Sequence, residues 1–131
     1  MLATRNLKYI YMGSNQLSPK SLGMLAEGIV VNSAIEELTF THNSLCIENG
    51  KTFIQSLKSL VNLRKLSLNS CQLQTHGPEL LQELKESLID TDELIALNLY
   101  SNDINAEGAA LLSQLLVNKT KLRTLGLSNN L

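Results

Sequence analysis

One phrase recurs along the whole chain: leucine-x-x-leucine-x-leucine-x-x-asparagine, with related residues allowed at each position. It begins at Leu7, Ile35, Leu63, Leu94 and Leu122, so successive copies lie 28, 28, 31 and 28 residues apart. Such a period is the signature of a solenoid, in which a small unit hides its apolar face only by stacking on the next unit. We therefore predict a single repeat domain over residues 1–131, made of repeats 7–34, 35–62, 63–93, 94–121 and a partial repeat 122–131.

Each repeat reads as a strand followed by a helix. Within the phrase, apolar and polar residues alternate, as around Ile10 and Met12, which predicts a short strand with one buried face. The second half of each repeat carries apolar residues three or four positions apart, the spacing of a helix that packs through one stripe. The sequence thus predicts an α/β fold.

Helix starts and insertions can also be placed. Ser18 followed by Pro19 is a strong N-terminal signal, Asn105 is a second N-cap and Thr75 a weaker one. The three extra residues of repeat three are assigned to the region from Glu86 to Asp92. We expect the outward helix positions to form a solvated convex face, and these carry Lys20, Glu27, Lys51, Lys58, Glu83, Lys85 and Glu86.

A polar position closes each copy of the phrase, where the chain turns away from the strand. It holds Asn15, Asn43, Asn102 and Asn130, and Cys71 in repeat three. Stacked turns leave backbone N–H and C=O groups buried at this point. An Asn side chain can satisfy both kinds of group, which explains the residue type.

A 28-residue strand–helix unit with this phrase resembles the ribonuclease-inhibitor-like class of leucine-rich repeats. The stretches 97–102 (LNLYSN) and 125–130 (LGLSNN) are close to the consensus of that class. Members include ribonuclease inhibitor, Ran GTPase-activating protein, tropomodulin and the sensor domains of NOD-like receptors. The resemblance implies a horseshoe-shaped solenoid with parallel strands on the concave face and helices on the convex face. It also implies a protein partner, bound on the concave sheet or its loop edge.

The strand residues between the leucines point away from the core and would form the partner-binding surface. The candidates on this concave face are Tyr9, Tyr11, Glu37, Thr39, Lys65, Ser67, Asn69, Asn98 and Tyr100. Equivalent positions of neighbouring repeats come side by side, so we expect Glu37 and Lys65 to be lateral neighbours. Five strands with three side chains each offer on the order of 300 Å², less than the roughly 800 Å² per partner of a standard interface.

Composition excludes several other classes of function. The net charge is −1 and no basic run is present, which argues against binding to nucleic acid or to anionic membranes. Neither a signal-peptide core nor a membrane span is visible, and two cysteines make no disulfide framework, so we expect a cytoplasmic protein.

The candidate metal and modification sites have simpler interpretations. The spacings of His42, Cys46, Cys71 and His76 match no zinc pattern. The segment Asn118-Lys119-Thr120 is interpreted as a turn rather than a glycosylation site. No catalytic set is apparent, so we expect no enzyme, no cofactor and no metal.

Three functions remain open from the sequence. The leading one is a protein-interaction module within a scaffold, receptor or effector. The alternatives are a regulator of a small GTPase, as the Ran-directed members are, and an architectural component of a cytoskeletal or ciliary assembly. No polar capping repeat is visible at either end, so the chain is expected to be an excerpt of a longer array, or to associate end to end if the ends are native.

Overall fold

The computed structural model describes residues 6–131. The expectation that the N-terminus lacks a signal-peptide core concerns residues 1–5, which lie outside the described range. In the described residues, five strands form one parallel sheet in the order of the sequence. The strands are β1 (Tyr9–Tyr11), β2 (Glu37–Thr39), β3 (Lys65–Ser67), β4 (Ala96–Asn98) and β5 (Thr124–Gly126). The helices are α1 (Pro19–Val30), α2 (Gly50–Ser56, continued by a 3-10 turn Leu57–Ser59), α3 (Glu79–Ser87) and α4 (Ala106–Leu116).

The register of the sheet follows the repeat. Leu38, Leu66 and Leu97 stand beside one another in β2, β3 and β4, and all three are buried. Each helix contacts the next helix along the chain, so a single continuous core lies between the sheet and the row of helices. Because a buried leucine side chain contributes about 1.5–3 kcal/mol, this stacked row supplies much of the stability. The predicted α/β leucine-rich-repeat solenoid is confirmed.

Asparagines of the polar position link neighbouring turns, as predicted. Asn102 is fully buried. Its side-chain Oδ1 accepts hydrogen bonds from the backbone N–H of Cys71 (2.9 Å) and Leu73 (3.3 Å), and its Nδ2 donates to the carbonyl oxygen of Leu68 (2.8 Å). Asn43 likewise donates to the carbonyl oxygen of Met12. These bonds satisfy backbone groups that the sheet and helices leave unpaired.

Cys71 fills the same position in a different way. Its Sγ lies 2.9 Å from the carbonyl oxygen of Phe40, to which the thiol donates. Burial raises the pKa of this thiol to about 12, although the backbone N–H of Asn43 acts in the opposite direction. Cys71 therefore stays a neutral, buried thiol near neutral pH.

Two helix starts agree with the sequence and one does not. Ser18 caps α1 by accepting from the N–H of Ser21, and Asn105 caps α4 by accepting from Glu107 and Gly108. Thr75 is not an N-cap, and that prediction is wrong. Its hydroxyl donates to Asp103 (2.6 Å), and α3 begins only at Glu79, without a side-chain cap.

The predicted position of the three extra residues of repeat three is also wrong. The turn that leaves each helix is the same in all four repeats, and in repeat three it runs through Leu88, Thr91 and Leu94. The extra length must therefore precede Leu88. Leu73 lies 15 residues before Leu88, whereas Leu17 lies 12 residues before Ile29, the equivalent pair of repeat one. Much of the insertion sits in the loop between Leu73 and Glu79, ahead of α3 and not near residues 86–92.

The convex face is less uniformly solvated than the sequence suggests. Glu83 is buried against the neighbouring helix, and its carboxylate lies 3.8 Å from the Nζ of Lys51 on α2. The expectation that Glu83 is a solvated surface residue is wrong, because packing between α2 and α3 covers it.

Among residues 6–131, no helix combines the length and the apolar composition that crossing a membrane requires.

Candidate partner-binding face

The side chains that point away from the core form rows across the sheet. One row contains Tyr9, Glu37, Lys65, Ala96 and Thr124, and the next contains Tyr11, Thr39, Ser67, Asn98 and Gly126. The hydrogen-bond ladder continues beyond the strands, where the backbone N–H of His42 donates to the carbonyl oxygen of Asn69 and the backbone N–H of Ser70 donates to that of Tyr100. Residues Asn69 and Tyr100 thereby extend the same surface toward the loops. We call this surface the concave face.

The β1 side of the concave face is held by a chain of three polar side chains. The hydroxyl of Tyr11 donates to Oε2 of Glu37 at 2.8 Å, and the Nζ of Lys65 lies 3.3 Å from Oε1 of Glu37. The predicted lateral pair of Glu37 and Lys65 is confirmed. The hydrogen bond from Tyr11, followed by the contact with Lys65, lowers the pKa of Glu37, and the same bond raises the pKa of Tyr11.

The β4 side is held by packing and by backbone contacts. Asn69 accepts a hydrogen bond from the N–H of Tyr100 (2.9 Å) and donates to Oγ of Ser67 (3.1 Å). The ring of Tyr100 lies across Gly126 of β5, where an added Cβ would come within 2.6 Å of the Tyr100 hydroxyl oxygen. Tyr100 is therefore laid flat against the sheet and half-buried, an arrangement that the sequence did not predict.

The tyrosines of β1 remain the most accessible large side chains of the face. Tyr9 is 51% exposed and Tyr11 is 66% exposed. Lys65 is also exposed, whereas the other six candidate residues are half-buried: Glu37, Thr39, Ser67, Asn69, Asn98 and Tyr100. The structure thus brings all nine predicted residues onto one surface, but their exposure is uneven.

The potential metal ligands of the described residues do not cluster. Between residues 6 and 131, no three His, Cys, Asp or Glu side chains come close enough together to hold a metal ion. Cys46 and Cys71 are both free thiols, the first half-buried and the second fully buried. The arrangement on the concave face offers hydrogen bonds, aromatic surface and one ion pair, which are features of recognition.

A second concave region lies on the loop edge, and sequence reasoning missed it. It is a groove of about 390 Å³ between the loops that follow β2 and β3, and its lining includes Cys46, Ile47, His76 and Leu80. The one sequence signal that indicates it is the spacing of 31 residues in repeat three, and the structure shows that much of this extra length lies in the loop before α3.

Comparison with known proteins supports the fold. Residues 62–84 match the sequence model of the family described as Leucine Rich Repeat. A solved structure of the tropomodulin C-terminal domain from Caenorhabditis elegans is similar, with a TM-score of 0.77 and 19% sequence identity. That similarity covers 96% of this chain and 76% of the other. At this identity, the likeness shows the fold alone. No curated protein sequence matches the chain.

Proposed function

We propose that this chain is a protein-interaction module that binds a protein partner through the concave face and its adjacent loops. The observation that carries the proposal is the pair of exposed tyrosines on β1, beside a pre-formed polar chain. Tyr9 and Tyr11 are both more than half exposed, and Tyr11 is anchored on Glu37 at 2.8 Å. Tyrosines are enriched among the residues that dominate binding energy at protein interfaces.

Pre-organisation strengthens this proposal. An anchored tyrosine loses less conformational entropy on binding than a freely rotating one, and each immobilised side chain otherwise costs roughly 0.5–1.5 kcal/mol. Lys65 contacts Glu37 from the other side at 3.3 Å, so the Glu37 carboxylate lies between Tyr11 and Lys65. The exposed ion pair contributes at most about 1 kcal/mol to stability, so its main proposed value is positional.

The proposal has two further parts, which are membership of the ribonuclease-inhibitor-like class and a cytoplasmic location. We assign the chain to the ribonuclease-inhibitor-like class because each of the four complete repeats pairs a three-residue strand with a true α-helix. A cytoplasmic setting is proposed from the two free thiols, since cytosolic proteins keep their cysteines reduced.

An architectural role is the second candidate. Leu125 and Leu127 occupy core positions of the repeated phrase but are 36% and 37% exposed, whereas Leu97 and Leu99, their counterparts in the preceding repeat, are buried. A further repeat or another chain stacked on β5 would cover them. The fold likeness to the tropomodulin C-terminal domain is compatible with this role. Sedimentation of the purified chain tests end-to-end association, and a strict monomer at high concentration contradicts it.

The test of the main proposal is affinity capture with two matched triple variants. The concave variant carries Tyr9→Ala, Tyr11→Ala and Lys65→Ala. The control variant changes three exposed residues of α1, with Lys20→Ala, Met24→Ala and Glu27→Ala.

Quantitative mass spectrometry then compares the proteins captured by each variant with those captured by the unmodified chain. We expect the concave variant to capture at least about tenfold less partner than the unmodified chain, because it lacks residues of the type that dominate binding energy at interfaces. The control variant should capture as much partner as the unmodified chain. Retention by the concave variant, or loss by the control alone, contradicts the proposal. Circular dichroism must show both variants folded.

A further inference from the structure

We propose that the groove on the loop edge is a separate docking site for a peptide segment that presents one apolar side chain flanked by basic residues. The groove lies between segment 45–51 and segment 72–80, and we call it the loop-edge groove. None of its lining residues belongs to the concave face. The inference therefore assigns a specific site on the adjacent loops, and it does not depend on binding by the concave face.

The groove lies beside two neighbouring helices that begin late. In repeats one and four, the helix begins two residues after the loop residue, at Pro19 after Leu17 and at Ala106 after Ile104. In repeat two, the helix begins five residues after Leu45, and in repeat three six residues after Leu73. The groove lies where these two longer loops adjoin the first turns of α2 and α3.

Two unusual backbone conformations shape these loops. Asn49, directly before α2, has φ of 70°, and Gly77, shortly before α3, has φ of 122°. The second value is disfavoured for any residue with a Cβ, so only glycine adopts it without strain. A Cβ at position 77 would also press on the carboxylate of Glu79. The wall of the groove is thus a defined turn.

The floor of the groove is apolar. Cys46, Ile47 and Leu80 line it as half-buried side chains, and Leu45 and Leu73 also adjoin it but are fully buried. A volume of about 390 Å³ falls within the range of roughly 300–1,000 Å³ seen for ligand-binding clefts. This space accommodates one large apolar side chain together with part of the backbone that carries it.

The rim of the groove carries an excess of negative charge. Glu48 and Glu79 are both exposed, and no salt bridge within residues 6–131 engages either carboxylate. Lys51 is the one lysine or arginine among the lining residues, and its Nζ already lies 3.8 Å from the buried carboxylate of Glu83. An apolar floor with two carboxylates above it is complementary to an apolar side chain with a lysine or arginine on each side.

The groove also contains a reporter that allows a direct test. Cys46 lines it and is partly accessible, whereas the other thiol, Cys71, is fully buried and has its pKa raised to about 12. Alkylation by iodoacetamide, which is uncharged, should therefore modify Cys46 and leave Cys71 untouched. Peptide mapping by mass spectrometry measures both rates in one sample.

The probe is a blocked pentapeptide, acetyl-Gly-Arg-Leu-Arg-Gly-amide. Two control peptides replace either the arginines by glutamates or the leucine by glycine. We expect the Arg-Leu-Arg peptide at millimolar concentration to slow the alkylation of Cys46 at least twofold, and we expect neither control peptide to do so. An unchanged rate with the Arg-Leu-Arg peptide overturns the proposal, as does equal protection by either control.

A charge-reversed variant separates docking from nonspecific attraction. With Glu48→Lys and Glu79→Lys, the Arg-Leu-Arg peptide should no longer protect Cys46. The matched control carries Glu27→Lys and Glu107→Lys, which reverse two other exposed carboxylates, one of them also in the first turn of a helix. Equal loss of protection in both variants overturns the specific site. Continued inertness of Cys71 verifies the fold in every sample.

Discussion

The ring of Tyr100 rests on the backbone of Gly126 in the neighbouring repeat, with no room for a side chain between them. A Cβ at position 126 would lie 2.5 Å from Cε1 and 2.6 Å from the hydroxyl oxygen of Tyr100. The shape of the β4 side of the concave face is therefore set by a residue without a side chain, one strand away.

Replacing this glycine should release the tyrosine. In Gly126→Ala, the new methyl group must displace the ring, because the ring is the movable partner and the strand backbone is not. With 3-fluorotyrosine incorporated, the ¹⁹F NMR signal of Tyr100 should move to the position of a solvent-exposed ring, while those of Tyr9 and Tyr11 stay in place. An unmoved Tyr100 signal would show that the contact is not as close as described.

Two other glycines should respond to alanine with opposite changes in stability. Gly108 in α4 is buried, and a Cβ there would press on Gln74 and come within 2.8 Å of Cδ1 of Leu81, so Gly108→Ala should destabilise the fold by about 1–3 kcal/mol. Gly28 in α1 has open space around it, and Gly28→Ala should stabilise the fold by about 0.5–1 kcal/mol. Urea unfolding of both variants measures this, and equal effects would contradict the packing described.

The asparagines of the polar position predict that Asn→Ala has very different effects on stability at two repeats. Asn102→Ala removes the acceptor for two buried backbone N–H groups and a donor to the carbonyl oxygen of Leu68, so the loss should be about 2–4 kcal/mol. Asn15 is exposed, and its side chain donates only to the carbonyl oxygen of Gly13. Asn15→Ala should cost less than about 1 kcal/mol. If chemical denaturation gives similar losses of unfolding free energy for both variants, the hydrogen bonds of Asn102 do not stabilise the stacking of neighbouring repeats.

The contact between Tyr11 and Glu37 predicts a change in tyrosine titration. The carboxylate accepts the phenol hydrogen bond and repels the phenolate, which raises the pKa of Tyr11. Glu37→Gln removes the charge, so the pKa of Tyr11 should fall toward its ordinary value of 10.0. Absorbance near 295 nm during alkaline titration of this three-tyrosine protein reports the change. Superimposable titrations of the two proteins would contradict the contact.

The same pair gives a prediction at acid pH. The pKa of Glu37 is lowered in the folded state, so its stabilising contribution is present above the ordinary value of 4.5 and is lost as the pH falls through the lower, folded-state value. The difference in unfolding free energy between the unmodified chain and Glu37→Gln should shrink over that acid range and stay constant near neutrality. A difference that grows toward low pH would have the wrong sign.

Much of the fold could be predicted because burial imposes a period on the sequence. The leucines at positions 38, 66 and 97 mark strands that stack in register, and the 28-residue spacing then places Glu37 beside Lys65. These inferences need only the alternation of a strand and the constancy of the repeat.

Other features depend on packing that the pattern does not encode. The 31-residue spacing gives the size of the insertion but not its place, which the identical turns after each helix reveal. Ser14, Ser70 and Ser101 all adopt left-handed backbone conformations, with φ between 55° and 58°, although serine is not among the residue types enriched in that region. The contact of Tyr100 with Gly126 joins two repeats and leaves no local signal.

The most direct test of the account is the affinity of a captured partner for two single charge-reversal variants, measured by isothermal titration calorimetry. Lys65→Glu alters the concave face, and Lys20→Glu alters the exposed surface of α1. We predict that Lys65→Glu weakens binding at least about tenfold, while Lys20→Glu leaves the affinity within about twofold of the unmodified chain. Unchanged affinity with Lys65→Glu, together with weakened binding in Lys20→Glu, would contradict partner binding by the concave face.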